Sequence, residues 1–157
     1  LLTKIKLLVK KDKFKKVVFL KKKQIKIINK LDIEKLSKKK LLSTSRICLH
    51  KSDNDKHQEM VIWQKKGYYY PIKKNVISDQ TFVILSGSLK ILIFYKKGKI
   101  LKSLILNKKN NLIVRIKKNT FFCDIAISAN SIHFETKNSI FSKKNNIFAN
   151  FKKKLKF

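Results

Sequence analysis

Between Met60 and Glu135 the chain is divided into short runs of β-branched and aromatic residues, spaced regularly and separated by polar stretches. The runs fall at residues 60–63, 81–85, 89–95, 100–106, 112–116, 121–127 and 132–135. Runs of this length and composition form strands, and no later segment shows a helical period. Ser86-Gly87-Ser88 and Lys96-Lys97-Gly98 sit between runs as hairpin turns. Many short strands with turn signals between them restrict the fold to a β-sandwich or barrel. With only 3 glycines and 1 proline, most turns must be made by Asn, Lys and Ser.

Upstream the pattern changes. Residues 1–28 are basic; residues 17–20 and 25–28 are apolar enough for two short strands around Lys21-Lys22-Lys23, or for a loosely ordered arm. From Leu31 to Leu42 apolar residues interleave with Lys and Glu, which predicts a short helix capped by Asn29 or Asp32 and ended by Ser43-Thr44-Ser45. The organisation expected is a basic N-terminal extension over 1–28, one domain with an N-terminal helix over 29–151, and a basic tail over 152–157. A domain of this size buries roughly 70% of the surface its unfolded chain exposes.

The formal charge of +31 raises nucleic acid as a partner, since clustered cations release counterions from phosphate backbones. Yet Arg46 and Arg115 are the only arginines, and the lysines are scattered through every segment. Base and phosphate recognition draws on the planar arginine fork. Abundant Lys, Ile and Asn together fit a composition drift toward AT-rich codons. The lysines then imply nonspecific, salt-dependent adhesion to polyanions. Cys48 and Cys123 lack metal-type spacing and read as small buried thiols. No signal-peptide pattern and no apolar run of the ~18–20 residues needed to span a membrane is visible, so the expected location is cytoplasmic and no transmembrane segment is expected. The chain begins on Leu1 rather than Met, which leaves its natural start open.

One spacing carries more. Gly67, Lys73, Asn75, Gln80 and Gly87 follow one another with five, one, four and six residues between them. This skeleton resembles the first motif of the cupin superfamily, which has His, His and Glu where this chain has Lys73, Asn75 and Gln80. Residues 117–122, Lys-Lys-Asn-Thr-Phe-Phe, fall where cupins carry a second motif, and Phe122 occupies the place of its His. Within the superfamily the chain is most similar to the WbuC-like branch, associated with O-antigen and polysaccharide synthesis, from about Leu31 to Phe151. The marks are Ser45-Arg46-Ile47-Cys48-Leu49-His50, Gln58-Glu59-Met60, Gly67-Tyr68-Tyr69, residues 81–87, residues 94–98, Phe134-Glu135-Thr136-Lys137 and residues 148–151. Where the branch has Gly-Pro-Tyr after its Glu-x-Lys strand, this chain has Ser139-Ile140-Phe141.

The resemblance implies an all-β cupin (jelly-roll) barrel with a short N-terminal helix. It also implies a role in cell-surface polysaccharide (O-antigen or lipopolysaccharide) synthesis, binding a sugar or sugar nucleotide. A divalent metal needs imidazole or carboxylate donors; with Lys73, Asn75, Gln80 and Phe122 at the ligand positions, no metal and no other cofactor is expected. If the chain is an enzyme, it would be a metal-independent sugar-nucleotide isomerase or epimerase. His50, Tyr69 and Glu135 are the candidate acid–base residues and Lys73 an electrostatic stabiliser; ordinary aromatic strand packing for Tyr69 and a surface strand position for Glu135 are the better-supported readings. Positions 46, 48 and 50 share a face along a strand, so Arg46 and His50, with Tyr69 and Lys73, form a candidate anion site displaced outward from the former metal position. The same Arg46–His50 pair could instead bridge the helix to the barrel or meet a homodimer partner. A basic nucleic-acid-associated protein and a folded but functionally decayed family member are the alternatives.

Overall fold

The computed structural model describes residues 9–11, 16–20, 25–37 and 42–151. The tail at 152–157, Lys21-Lys22-Lys23 and Leu41 lie outside the described residues. Strands β1 (Val9–Lys11) and β2 (Lys16–Phe19) precede a single helix among the described residues, α1 (Lys30–Ser37). Then follow β3 (Thr44–Cys48), β4 (Gln58–Lys65), β5 (Lys73–Asn75), β6 (Gln80–Ser86), β7 (Ser88–Phe94), β8 (Ile100–Asn107), β9 (Ile113–Ile116), β10 (Phe121–Ala126), β11 (Asn130–Lys137) and β12 (Asn146–Phe148). They form a seven-stranded sheet, β1-β2-β3-β4-β11-β6-β9, and a five-stranded sheet, β12-β5-β10-β7-β8. Every run expected to be a strand between residues 60 and 135 is one.

Alternation places the core. On β4, Met60, Ile62 and Gln64 point between the sheets, while Val61 and Trp63 point outward with Val18 and Ile47. That outer layer is covered by Ile33 of α1, with Ile28 and Leu42 beside it. On β10, Phe122 faces inward, whereas Cys123 and Ile125 face outward under Ala149 and Phe151. Each sheet therefore has an apolar outer face covered by a terminal segment, which is why these strands are more apolar than a solvated sheet requires.

The helix start is fixed by a reciprocal cap. Asp32 N–H donates to Asn29 Oδ1 at 3.0 Å, and Asn29 N–H donates to Asp32 Oδ2 at 3.1 Å. Asn29 is thus the cap; the described helix runs to Ser37, and Leu42 is not helical. Gly87 joins β6 to β7 at φ +72°, and a Cβ there would lie 2.1 Å from the carbonyl oxygen of Asn130. Only glycine fits this crossing.

Upstream of residue 29 the structure bears out the first of the two expected strands and not the second. Val17 and Val18 belong to β2, which runs parallel to β3 and extends the seven-stranded sheet. Residues 25–28 form no strand, and Ile25 and Ile27 face solvent. The free edge of β3 is already taken by β2, so no sheet edge is left for them there.

Candidate functional site

The inner face of β11 carries His133, Glu135 and Lys137 at alternate positions, all buried. This column leads from the interior to a cavity of about 100 Å³ between one end of the seven-stranded sheet and the β5–β12 edge of the other. Arg46 and Cys48 of β3, His50 just beyond it, Lys73 of β5, and Glu135 and Lys137 of β11 converge there. Phe141 and Phe148, both substantially exposed, form an aromatic rim.

The cavity brings together three cations, Arg46, Lys73 and Lys137, and two carboxylates, Asp53 and Glu135. Among the described residues, no carboxylate lies within ion-pairing distance of Arg46, Lys73 or Lys137. The Nε of Arg46 is buried without a hydrogen-bond partner, and its Nη1 meets only the soft Sδ of Met60 at 3.9 Å. Lys73 Nζ lies 5.5 Å from the Tyr70 ring centroid and 5.9 Å from that of Phe122. Lys137 is 4% exposed, with Nζ 5.1 Å from the Phe141 ring centroid. Burial lowers the Lys137 pKa to about 8, an effect opposed by Glu135 and reinforced by Lys73 and Arg46. A buried ammonium at Lys137 and half-buried cations at Arg46 and Lys73, none in an ion pair among the described residues, favour an anion.

His50 presents one nitrogen to this space. Its Nδ1 sits 3.0 Å from the backbone N of Glu59 and 2.8 Å from its carbonyl O, so the backbone occupies that nitrogen. Burial lowers its pKa, keeping the ring neutral near pH 7.

The four positions of the motif spacing take different roles. Lys73 and Phe122 are register partners across β5 and β10, and Lys73 alone of the four lines the cavity. Asn75 has become structural: Oδ1 accepts from the N–H groups of Ile77 and Ser78, both at 2.9 Å, and Nδ2 donates to Ser139 Oγ at 3.0 Å. Phe122 packs edge-on against Phe82 at 5.7 Å. Gln80 is 2% exposed, with neither amide atom hydrogen-bonded. An ammonium, two neutral amides and a phenyl ring do not make the donor set a divalent metal requires. Among the described residues, no group of three or more His, Cys, Asp and Glu side chains is arranged to hold one elsewhere.

Tyr69 does not join the site. It is 42% exposed and bridges to Ile125, near Ser43 and Lys66. In the extended segment Tyr68 and Tyr70 turn inward, meeting edge-on at 5.2 Å, and the residue between them must turn out. Tyr70 lines the cavity, but its hydroxyl lies 3.3 Å from Thr44 Oγ1 and burial raises its pKa, so it is a poor proton donor.

Sequence reasoning overlooked Lys137, Tyr70 and the interior polar belt. In that belt Gln64 Nε2 donates to Asp124 Oδ2 at 2.7 Å, and both ring nitrogens of His133 lack partners. Burial raises the pKa of Asp124 and lowers that of His133, favouring neutral forms of both. Period-two reading from Glu135 would have placed Lys137 and His133 on its face. Gln64, polar on the inward side of an apolar strand, was the corresponding signal on β4.

No family model and no curated protein matches the sequence. Solved structures match in fold. The chain aligns with the capsular polysaccharide assembling protein CapF from Staphylococcus aureus at TM-score 0.59 and 14% identity, covering 69% of this chain and 32% of that one. CapF in complex with the inhibitor 3-isopropenyl-tropolone gives the same TM-score at 15% identity. Protein SO0799 from Shewanella oneidensis aligns at TM-score 0.51 and 11% identity, over 59% of this chain and 61% of that one. The chain thus spans about a third of the length of CapF. The fold is all-β and of the cupin, jelly-roll type, with two facing sheets. At these identities the likeness defines the fold and leaves function to the site.

Proposed function

We propose that this chain is a metal-independent, WbuC-like cupin that binds an anionic sugar, a sugar nucleotide, in the synthesis of cell-surface polysaccharide. The observation that carries the reading is the set of unpaired cations, Arg46, Lys73 and Lys137, converging on one cavity. Arg46 would hold a phosphate through its fork, and Lys73 would add a point charge. The exposed faces of Phe141 and Phe148 suit the apolar side of a sugar ring, as in sites where a few placed polar groups orient a ligand against aromatic walls. CapF supports the setting, as a capsular polysaccharide assembling protein of the same fold.

Calorimetric titration with a panel of uridine-, guanosine- and thymidine-diphosphate sugars tests this. Micromolar binding by one member, retained after chelator treatment and weakened at least tenfold by Arg46→Ala, is the expected result. Absence of binding across the panel, or dependence on added Zn, Mn, Fe or Ni, would overturn it.

A further inference from the structure

Lys137 stands apart from the other lysines of this lysine-rich chain. It is 4% exposed, lines the cavity, and has Glu135 two residues back on the same strand face. Around it are Arg46 from β3, Lys73 from β5, Glu135 on its own strand and Asp53 from the loop before β4. No carboxylate pairs with it, and its nearest described aromatic neighbour is Phe141. A buried amine beside two other cations and a phenyl ring, in direct ion pair with neither Glu135 nor Asp53, is disposed to lose its proton and become a nucleophile.

We propose that Lys137 is a carbonyl-reactive amine that forms a reversible imine with an anion bearing a free aldehyde or ketone. The inference rests on reading the cavity as an anion site and names the ligand chemistry that this site would take. Arg46 and Lys73 would hold the anionic group and bring the carbonyl carbon to Nζ. The Nζ lone pair attacks that carbon, forming the C–N bond as the C=O π pair moves to oxygen. Oxygen takes up a proton from solvent while nitrogen gives one to Glu135, forming a carbinolamine. The C–O bond then breaks, the oxygen leaves as water, and the nitrogen lone pair closes the C=N bond. Glu135 is the group on the same face that can take the proton from nitrogen and return it to the departing hydroxyl. No oxidant or reductant is involved.

Burial supports the assignment, because it brings the Lys137 pKa to about 8 and leaves a sizeable fraction as free amine near neutrality. An exposed lysine, at about 10.4, has two orders of magnitude less. Lower intrinsic nucleophilicity offsets part of this advantage, so a net preference of about tenfold is expected.

The test is trapping with glyoxylate, a small anionic aldehyde that fits the cavity, and cyanoborohydride. Full-length protein is treated near neutral pH with limiting reagent, and carboxymethyl-lysine is mapped by peptide mass spectrometry. Lys137 should be modified about tenfold faster than the mean of the exposed lysines, and a saturating sugar nucleotide should suppress modification at Lys137 alone. Lys137→Arg keeps the charge and should abolish trapping at that peptide. Modification at Lys137 no faster than at the surface overturns the inference. If it does so while Arg46-dependent sugar-nucleotide binding persists, the binding reading stands alone. Selective trapping at Lys137 without sugar-nucleotide binding keeps the amine and overturns the nucleotide reading. The wild-type map decides the matter even if Lys137→Arg fails to fold.

Discussion

At one end of the space between the sheets, Phe82, Phe122, Leu89, Ile91, Leu106 and Ile116 pack into a fully buried cluster. At the other, Arg46, His50, Lys73, Glu135 and Lys137 surround an opening. The same inward alternation along neighbouring strands builds both, and the Gln64–Asp124 pair and His133 lie within the interior they share. The apolar end supplies stability. The charged end holds groups that lower stability when nothing is bound. The positions that match the motif spacing are thus divided between the two tasks: Phe122 joins the core, Lys73 the opening.

That division can be broken by mutation. Phe122→Ala should produce the largest effect, a loss of about 3–5 kcal/mol from cavity formation in a packed aromatic cluster, read as a lower midpoint in urea unfolding. If Phe122→Ala costs less than about 1 kcal/mol, the apolar end is not the stabilising one.

Lys137→Met should act in the opposite direction, stabilising the fold by roughly 3 kcal/mol at neutral pH. The native pKa of Lys137 is about 8, below its ordinary value of 10.5. Between those values the unfolded chain holds a proton that the native state has released, so wild-type stability rises with pH across the window. The penalty is complete below pH 8 and gone above about 10.5. The advantage of Lys137→Met should therefore shrink through that window, measured as the difference between two unfolding curves at each pH. A constant difference would mean that Lys137 is not held against its charge.

Arg46→Ala should separate the tasks most clearly. Sugar-nucleotide affinity should fall by about 1.5–3 kcal/mol, the range for hydrogen bonds to a charged group. Stability should change by less than about 1 kcal/mol, because Arg46 makes no ion pair among the described residues. Away from both ends, Asn29→Ala should cost about 1 kcal/mol through loss of the helix cap, with binding unchanged. Surface lysines should contribute least: adhesion to DNA or RNA should be indifferent to sequence and fall steeply with salt. Discrimination between sequences by several kcal/mol at physiological salt would instead make the charge itself the functional feature.

Much of this arrangement was legible in advance because the strands between residues 60 and 135 obey a strict local rule. Arg46, Cys48 and His50 line one cavity as two-residue spacing requires, although β3 ends at Cys48. Strands β5 and β12 were invisible because Lys-Lys-Asn and Asn-Ile-Phe are three residues long and hold no apolar run; their pairing to each other, and that of β5 to β10, defines them. Tyr69 was misplaced for a similar reason. Three adjacent tyrosines have no internal phase, and only contact between Tyr68 and Tyr70 fixes which one faces outward. The parallel pairing of β2 with β3 depends on a chain reversal through α1, which no local pattern encodes.

The position of β11 has a consequence for biosynthesis. It lies between β4 and β6, pairing with both along most of its length, yet it is made after nearly every other strand. While the chain emerges from the ribosome, β4 and β6 each present an unpaired edge that only residues 130–137 can close. Nascent chains with open strand edges are prone to join one another. Because the lysines are spread through every segment, the incomplete chain is already strongly cationic, and mutual repulsion would keep such intermediates apart until the last partner arrives. On this view the lysines act before the native state exists, as a solubilising coat during translation.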